Sequence, residues 1–315
     1  MDRRNFLKAV ALAGTAMAVK NTKAMTTMVQ NFGPKVAGKV TANFDLVAVM
    51  GGEPQNMFRK AIAELGGMGK FIKKGDKVVV KPNIGWDKTP EMAANTNPKL
   101  VAEIISQCIS AGAKEVVVFD HTCDDWTKCY KNSGIEDAAK KAGAKIVPAH
   151  TGTYYKDVAL PKGVVLKSTK IHEAIVNCDK WINVPVLKNH GGAQMSISMK
   201  NYMGIIWDRG FFHKNDLQQC IADVCTYEKR PILNVVDAYR LMKTSGPRGK
   251  SEADVVLSKG LFISQDIVAA DTAATNFFNQ VREMPLDKVS YLAKAQKLNV
   301  GSMNLEKMKV KKIKM

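Results

Sequence analysis

From residue 43 onward, short runs of aliphatic residues alternate with longer segments in which apolar residues recur at helical spacing. The runs at 78–80 and 116–118 are continuous valine, a pattern typical of strands that are buried on both faces. Residues 98–111 repeat apolar side chains three and four positions apart, which predicts an amphipathic helix. The alternation predicts an α/β fold, a mostly parallel sheet with helices on both faces, and leaves open a division into two subdomains.

The same patterns give bounds for the other elements. A hairpin or an excursion from the sheet is predicted at 151–170, where polar residues surround a Pro-Lys-Gly turn. Strands are predicted at 44–50, 77–80, 115–119, 145–147, 180–186, 232–236, 260–263 and 308–313. Helices are predicted at 57–65, 98–111, 135–142, 195–206, 216–227, 266–278 and 286–297.

The first residues have the pattern of an export signal. Arg3 and Arg4 precede an apolar stretch at 9–19, which is shorter than the roughly 20 residues that cross a bilayer as a helix. The paired arginines resemble a bacterial twin-arginine signal, and small residues up to Ala24 suit cleavage. We therefore expect a twin-arginine signal peptide at 1–24, the Tat translocase as a partner, and a periplasmic or otherwise exported mature protein.

Composition and net charge indicate which class of ligand the protein binds. A hydrophobic content of 46% excludes a wholly disordered protein, and 47 Lys and Arg against 29 Asp and Glu give a net charge of +18. Such a surface attracts anions. No zinc-finger spacing, RNA-recognition aromatic motif or helix-turn-helix signature accompanies the charge, so we expect a small anionic ligand and no nucleic-acid partner.

The six cysteines contain no C-x-x-C pair. Iron–sulfur clusters normally need closely spaced thiolates, so the spacing predicts no such cluster. Cys123 and Cys129 are the one local pair to test for a disulfide, which an exported protein permits.

Polar residues follow four of the predicted strands. Because ligands of open parallel sheets bind outside the carboxyl ends of the strands, these residues are expected to converge on one crevice. A lysine also lies in the polar run 196–204, and an arginine lies in a glycine-rich basic loop at 245–250 that lacks P-loop spacing. The candidates for catalysis are His190, Lys188 and Asp237, and those for binding a substrate or cofactor are Lys81, Asn83, Lys200, Asn201 and Arg248.

A metal is a further option, with His121 and His190 as the candidate ligands, although no H-x-x-x-H or H-E-x-x-H spacing is present. Each candidate also has a structural interpretation. Asn83 after a proline can simply form a turn, and Lys200 near a helix end can interact with the helix dipole. The loop at 207–213 mixes aromatic and charged residues, which suits either a functional loop or buried anchors of a long connection.

Five blocks in this order, at 80–83, 183–190, 198–204, 236–249 and 266–271, resemble the domain of unknown function 362 family. The resemblance implies one α/β domain over 43–313. It supplies no catalytic residues. Many relatives carry ferredoxin-type iron–sulfur segments, but this chain lacks their clustered cysteines.

Two classes of function remain. The first is an exported enzyme that acts on a small anionic substrate or cofactor in a crevice lined by Lys, Arg and His. The second is a non-catalytic periplasmic protein that binds a metal or an anionic cofactor for an envelope redox system, with a redox partner there. The lysines at the carboxyl-terminal end also suggest docking to an anionic envelope surface.

Overall fold

The aliphatic runs form a ten-stranded mixed sheet in the computed structural model, which describes residues 44–315. The predicted signal peptide lies outside the described residues. In chain order, the strands of the described part are β1 (Leu46–Met50), β2 (Lys77–Pro82), β3 (Glu115–Val118), β4 (Lys145–Ile146), β5 (Tyr155–Ala159), β6 (Ser168–His172), β7 (Lys180–Val184), β8 (Val186–His190), β9 (Gln194–Ser196), β10 (Leu233–Met242), β11 (Val255–Ser264) and β12 (Val310–Lys314).

The strand order across the sheet is β12-β1-β11-β10-β7-β2-β3-β4, with β8 pairing β10 and β9 pairing β8. The stretch from β10 through β7, β2 and β3 to β4 is parallel, and β12 is parallel to β1. Strand β11 runs antiparallel to both β1 and β10. The predicted mostly parallel α/β sheet is therefore confirmed, with antiparallel pairs around β11.

Helices cover both faces of the sheet. In the described residues the α-helices are α1 (Pro54–Glu64), α2 (Pro98–Ser110), α3 (Trp126–Asn132), α4 (Ile135–Lys141), α5 (Glu173–Asn177), α6 (Ser198–Asn201), α7 (Gly210–Lys214), α8 (Leu217–Val224), α9 (Ile267–Phe278) and α10 (Tyr291–Lys297). Alternate residues of β2 divide between two hydrophobic clusters, because Val78 and Val80 pack with α1 to α4 while Val79 packs on the other face. The second face is covered by α5 to α10.

Several predicted elements differ from the structure. The strand predicted at 260–263 begins earlier, at Val255, as β11, and the helix predicted at 286–297 is a 3-10 turn at Leu286–Lys288 followed by α10. The strand predicted at 232–236 continues to Met242 as β10, because it pairs along its length with β11. The residues after the strand predicted at 180–186 form β8 rather than a loop. The helix predicted at 195–206 is instead the end of β9, the short helix α6 and a 3-10 turn at Tyr202–Gly204.

The segment predicted as a hairpin or an excursion contains β5 and β6, which form a separate two-stranded antiparallel sheet. Its inner side chains, among them Tyr155 and Ile171, pack into the same cluster as α8 and α9. None of the helices within residues 44–315 combines the length and the hydrophobicity needed to span a membrane.

Candidate active site

A cavity of about 450 Å³ is lined by residues that follow β2, β3 and β7 together with residues of the turn at 198–204. Parallel strands place their carboxyl ends on one edge of the sheet, so side chains far apart in sequence converge there. Six of the predicted site residues line this cavity, namely Asn83, His121, Lys188, His190, Lys200 and Asn201.

Lys81 lies beneath the cavity and is fully buried. Its Nζ is 2.8 Å from Asp120 Oδ1 and donates to the backbone carbonyl of Asn201 at 2.8 Å and to Asn201 Oδ1 at 2.7 Å. Burial lowers the pKa of Lys81, and the neighbouring Asp120 opposes that change. The ammonium is thus fully partnered within the protein, and it fixes Asn201 rather than facing a ligand.

A row of buried polar side chains continues from this ion pair across the sheet. In strand register, Lys81 lies beside Asn183 of β7, and Asn183 lies beside Asn234 of β10. The Asn183 amide donates to Ser198 O at 2.9 Å and to Asn234 Oδ1 at 3.1 Å, and it accepts from Asn201 Nδ2 at 2.9 Å. Because buried polar groups need partners, this row fixes the position of the turn at 198–204.

Asp271 of α9 holds the beginning of the same turn. Its two carboxylate oxygens accept from the backbone N–H groups of Ser198 at 2.8 Å and Met199 at 2.9 Å. Burial raises the pKa of Asp271 to about 7, against the opposing effect of these hydrogen bonds. At the end of the turn, a Cβ on Gly204 would overlap Asp120 Oδ1 and Lys81 Nζ, so the backbone approaches the ion pair only because this residue is glycine.

Lys188 and Lys200 line the cavity without a carboxylate partner. Lys188 is buried, and its Nζ donates to Asn83 Oδ1 at 2.9 Å and to Ala94 O at 2.5 Å. Within residues 44–315, Lys200 Nζ has neither a hydrogen-bond acceptor nor an ion-pair partner. Burial lowers the pKa of Lys188 to about 7 and that of Lys200 to about 8, and nearby positive charges act in the same direction.

Two histidines of the cavity have opposite hydrogen-bonding patterns. His190 Nδ1 accepts from the backbone N–H groups of Gly192 at 3.1 Å and Ala193 at 3.0 Å, so in the neutral ring Nε2 carries the proton. His121 Nδ1 is 2.9 Å from the carbonyl oxygen of Ile206, which assigns the proton to Nδ1 and leaves the Nε2 lone pair free. One imidazole therefore offers a donor and the other an acceptor.

Both imidazoles are neutral at physiological pH. Burial, followed by the positive charges of Lys200 and Lys188, lowers the pKa of His190 to about 3. Burial, followed by the charge of Arg209, also lowers the pKa of His121. The ring of His121 stacks on Trp207, with centroids 5.0 Å apart and planes 7° apart.

Sequence reasoning assigned no site role to Arg209 or Cys123, and both line the cavity. The Arg209 guanidinium donates to the carbonyl oxygens of His121 at 3.0 Å and Thr122 at 2.7 Å and to Cys123 Sγ at 3.2 Å. It connects the loop at 207–213 to the residues after β3. The mixture of aromatic and charged residues at 207–213 is the sequence signal that pointed to this loop.

Asp237 and Arg248 do not line the cavity. Asp237 lies inside β10, and its side chain accepts from Asn97 N at 2.7 Å and Tyr239 N at 3.0 Å, so it supports the beginning of α2 on the other face of the sheet. Arg248 is 58% exposed and lies 3.4 Å from Asp124. Their placement gives no support to the predicted catalytic role of Asp237 or to ligand binding by Arg248.

The predicted metal ligands find no third partner. In the part of the chain that the structure describes, no three His, Cys, Asp or Glu residues are grouped as a metal site. His190 also directs a protonated nitrogen, not a lone pair, away from its backbone contacts. All six cysteines are free, with Cys123 exposed and Cys129 buried, so the structure has no bridge between them.

The chain is similar to a curated protein and to several solved structures. The thylakoid-associated protein sll1697 of Synechocystis sp. is 24% identical over 226 residues, which are 69% of this chain and 68% of that protein. The lactate racemase apoprotein from Thermoanaerobacterium thermosaccharolyticum has a TM-score of 0.49 at 14% identity, covering 77% of this chain and 58% of that one. A protein from Thermotoga maritima has a TM-score of 0.48 at 12% identity, covering 73% and 60%. This chain therefore spans less than two thirds of either solved protein.

The sequence profile of a domain of unknown function, DUF362, matches residues 78–276. That range contains every residue that lines the cavity, and it includes the buried polar row and Asp271. It also contains all five of the sequence blocks on which the resemblance rests. On this match, the chain belongs to the DUF362 family.

Proposed function

We propose that the protein is an enzyme that binds a small anion in this cavity and moves a proton on it. The observation that carries the proposal is a pair of lysines, Lys188 and Lys200, that line the cavity with no carboxylate against them. Among the described lining residues, Asp120 is the sole carboxylate, and it is paired with Lys81. A bound anion would supply the missing negative charge.

The two imidazoles supply complementary chemistry beside these cations. His121 Nε2 is free to accept a proton from the bound anion, and His190 Nε2–H is able to hydrogen-bond an oxygen on which negative charge develops. Lys188 and Lys200 would stabilise the same charge, and burial of Lys188 strengthens its interaction with a bound anion. The proton taken by His121 returns to solvent or to the product, so the protein is unchanged after turnover.

A non-catalytic protein that holds an anionic cofactor is the second candidate. The same cations favour it, and the lack of a three-residue ligand group in 44–315 favours an anionic cofactor over a bare metal ion. The histidines distinguish the two functions. A protein that only binds the anion needs the cations alone, whereas an enzyme also needs the acceptor nitrogen of His121.

The test of catalysis is exchange of a solvent proton into a bound anion. The protein is screened against small carboxylates and phosphates by calorimetry, and each ligand that binds is incubated with it in D₂O and followed by NMR. We expect deuterium incorporation that falls by about 10²–10⁴-fold in His121→Gln, while the affinity changes little. His150→Gln is the matched control, since His150 is exposed and lies outside the cavity lining. Binding without any exchange would favour the cofactor carrier.

We also propose that the mature protein works outside the cytoplasm, on the strength of the twin-arginine motif at Arg3 and Arg4. Cell fractionation of the full chain tests it against a variant in which both arginines are lysine. Export of the original chain and retention of the variant are expected. Equal retention of both in the cytoplasm would contradict the proposal.

A further inference from the structure

Resting on the proposed function, we propose that the anion is a dianion, either a dicarboxylate or a phosphate monoester, and that it binds together with protons taken up from solvent. The inference concerns how much charge the cavity must neutralise and how the empty cavity tolerates that charge.

The number of uncompensated cations sets the charge of the ligand. Lys188, Lys200 and Arg209 all line the cavity. The groups that Lys188 and Arg209 contact in the described residues are carbonyl oxygens, an amide oxygen and the Cys123 sulfur, and none is a carboxylate. Asp120 is already neutralised by Lys81, 2.8 Å away. One carboxylate would leave two positive charges facing each other, whereas two acidic groups would neutralise most of the site.

The cavity also restricts the size and body of the ligand. Its volume of about 450 Å³ falls in the usual range for small-molecule sites. Trp86, Pro185, Val186, Met203 and Pro247 give it an apolar wall between the polar groups. A short carbon chain bearing acidic groups fits both properties, because its ends meet the cations while its middle contacts the wall.

Without a bound anion, the lysines of the cavity reduce their mutual repulsion by losing protons. Burial brings the pKa of Lys188 to about 7 and that of Lys200 to about 8, so near pH 7.5 the two amines together lack roughly one proton. The titratable and charged groups that act on them are Lys81, Asp120, Cys123, His190, Arg209 and His213. A dianion beside the amines raises both pKa values, and the complex therefore takes up protons.

The sign of the pH dependence follows directly. The protonated amines bind the anion better, so affinity rises as the pH falls through the pKa values of the free protein. Between about pH 9 and pH 7 a dicarboxylate stays fully ionised, so any change in its affinity over this range belongs to the protein. We expect an increase of about tenfold per pH unit near pH 7.5, where roughly one proton is taken up, and therefore of about a hundredfold or more over the whole range.

Isothermal titration calorimetry with matched probes tests the inference. Succinate and butyrate have the same number of carbons and differ in one carboxylate, and glycerol 3-phosphate represents the phosphate monoesters. Each is titrated near pH 7.5 in two buffers of different ionisation enthalpy, which gives the number of protons taken up. We expect succinate or glycerol 3-phosphate to bind at least tenfold more tightly than butyrate, with roughly one proton taken up.

Variants of Lys200 separate charge from protonation. Lys200→Arg keeps the positive charge but stays protonated throughout, so it should keep the preference for dianions and take up fewer protons. Lys200→Met should lose at least tenfold in dianion affinity and little in butyrate affinity. Lys162→Met, on an exposed turn, is the control and should change neither. Urea unfolding of each variant confirms that it is folded.

The outcomes distinguish this inference from the proposed function. Equal affinity for succinate and butyrate, or binding of dianions without proton uptake, overturns the inference and leaves an anion-binding enzyme intact. Failure of all these anions to bind contradicts both. Tighter binding of succinate than of glycerol 3-phosphate identifies a dicarboxylate as the source of the charge, and the reverse order identifies a phosphate.

Discussion

Two sets of lysines lie at the same edge of the sheet, and their surroundings differ. Lys81 is buried with Asp120 and Asn201, which occupy its three donor positions. Lys188 and Lys200 also have little exposure, but the structure places no carboxylate against either. The first set has its compensating charge built into the fold. The second leaves that charge to be supplied from outside, which is how a binding site differs from a structural ion pair.

The comparison also explains how the two regions depend on each other. The Lys81 pair and Asn183 fix Asn201, and Asp271 fixes the beginning of the turn that carries Lys200. A satisfied polar network thus holds an unsatisfied cation in place. Changes to Lys81 or Asp120 break a buried polar network, and a partly satisfied network is costly, so these changes should lower the stability of the fold. Changes to Lys200 leave that network intact and should affect binding instead.

The largest effect on stability is expected from breaking the ion pair between Lys81 and Asp120. Asp120→Ala leaves Lys81 buried without a counter-charge and removes the acceptor of Ile84 N, so we expect a loss of about 3–5 kcal/mol in the free energy of unfolding. Urea denaturation measures it. Glu136→Gln removes the partly exposed ion pair with Lys140 and should cost less than about 1 kcal/mol. Similar losses in the two variants would contradict the structural role of Asp120.

A smaller loss is expected where the turn meets the pair. Gly204→Ala places a methyl group against Asp120 and Lys81, and the shift needed to fit it should cost about 1–3 kcal/mol. The same substitution at Gly191, where an added Cβ meets nothing within 4 Å, is the control and should be nearly neutral. Thermal unfolding compares the two, and a stable Gly204→Ala protein would show that the backbone does not need this close approach.

Removal of the positive charge of Lys200 should have little effect on stability and a large effect on binding. Lys200→Met takes away an ammonium that has no partner in residues 44–315, so the free energy of unfolding should change by no more than about 1 kcal/mol. Affinity for a dianion such as succinate, measured by calorimetry, should nevertheless fall at least tenfold. A large loss of stability with unchanged binding would assign Lys200 to the structural set.

The smallest effect on stability is expected at Cys123. It is the exposed member of the six cysteines, so a maleimide should label the native protein at one site, and Cys123→Ser should abolish that labelling with little change in stability. Mass spectrometry counts the labels. A ligand in the cavity should slow the reaction, because Cys123 is part of the lining. Labelling of several buried cysteines at the same rate would show that the native fold opens readily.

The hydrophobic pattern predicted the sheet well where strands are fully buried. The valine runs of β2 and β3 have no other interpretation at that length, and the residues that follow them reach the cavity as the strand-end rule requires. The pattern failed at β10, because a charged residue, Asp237, follows the aliphatic run although pairing with β11 continues to Met242. Asp237, which the pattern placed after the strand, therefore lies inside β10.

That misplaced boundary explains why Asp237 lies away from the cavity. Inside a strand, side chains alternate between faces, and Asp237 points with Val235 and Tyr239 to the α2 side. The exposure of Arg248 and the role of Arg209 depend on the path of their loops, which residue spacing does not specify. The opposite tautomers of His121 and His190 depend on backbone atoms at 192, 193 and 206, and these come together only in the folded chain.

The measurement that bears most directly on the account is the titration of Lys200 itself, followed by NMR of protein labelled with ¹³C-lysine and assigned by loss of the signal in Lys200→Arg. We expect this ammonium to titrate near pH 8, because burial lowers its pKa to about 8, and we expect succinate to move the titration to higher pH. Titration of Lys200 near the ordinary lysine pKa of about 10.4, with no response to succinate, would contradict it.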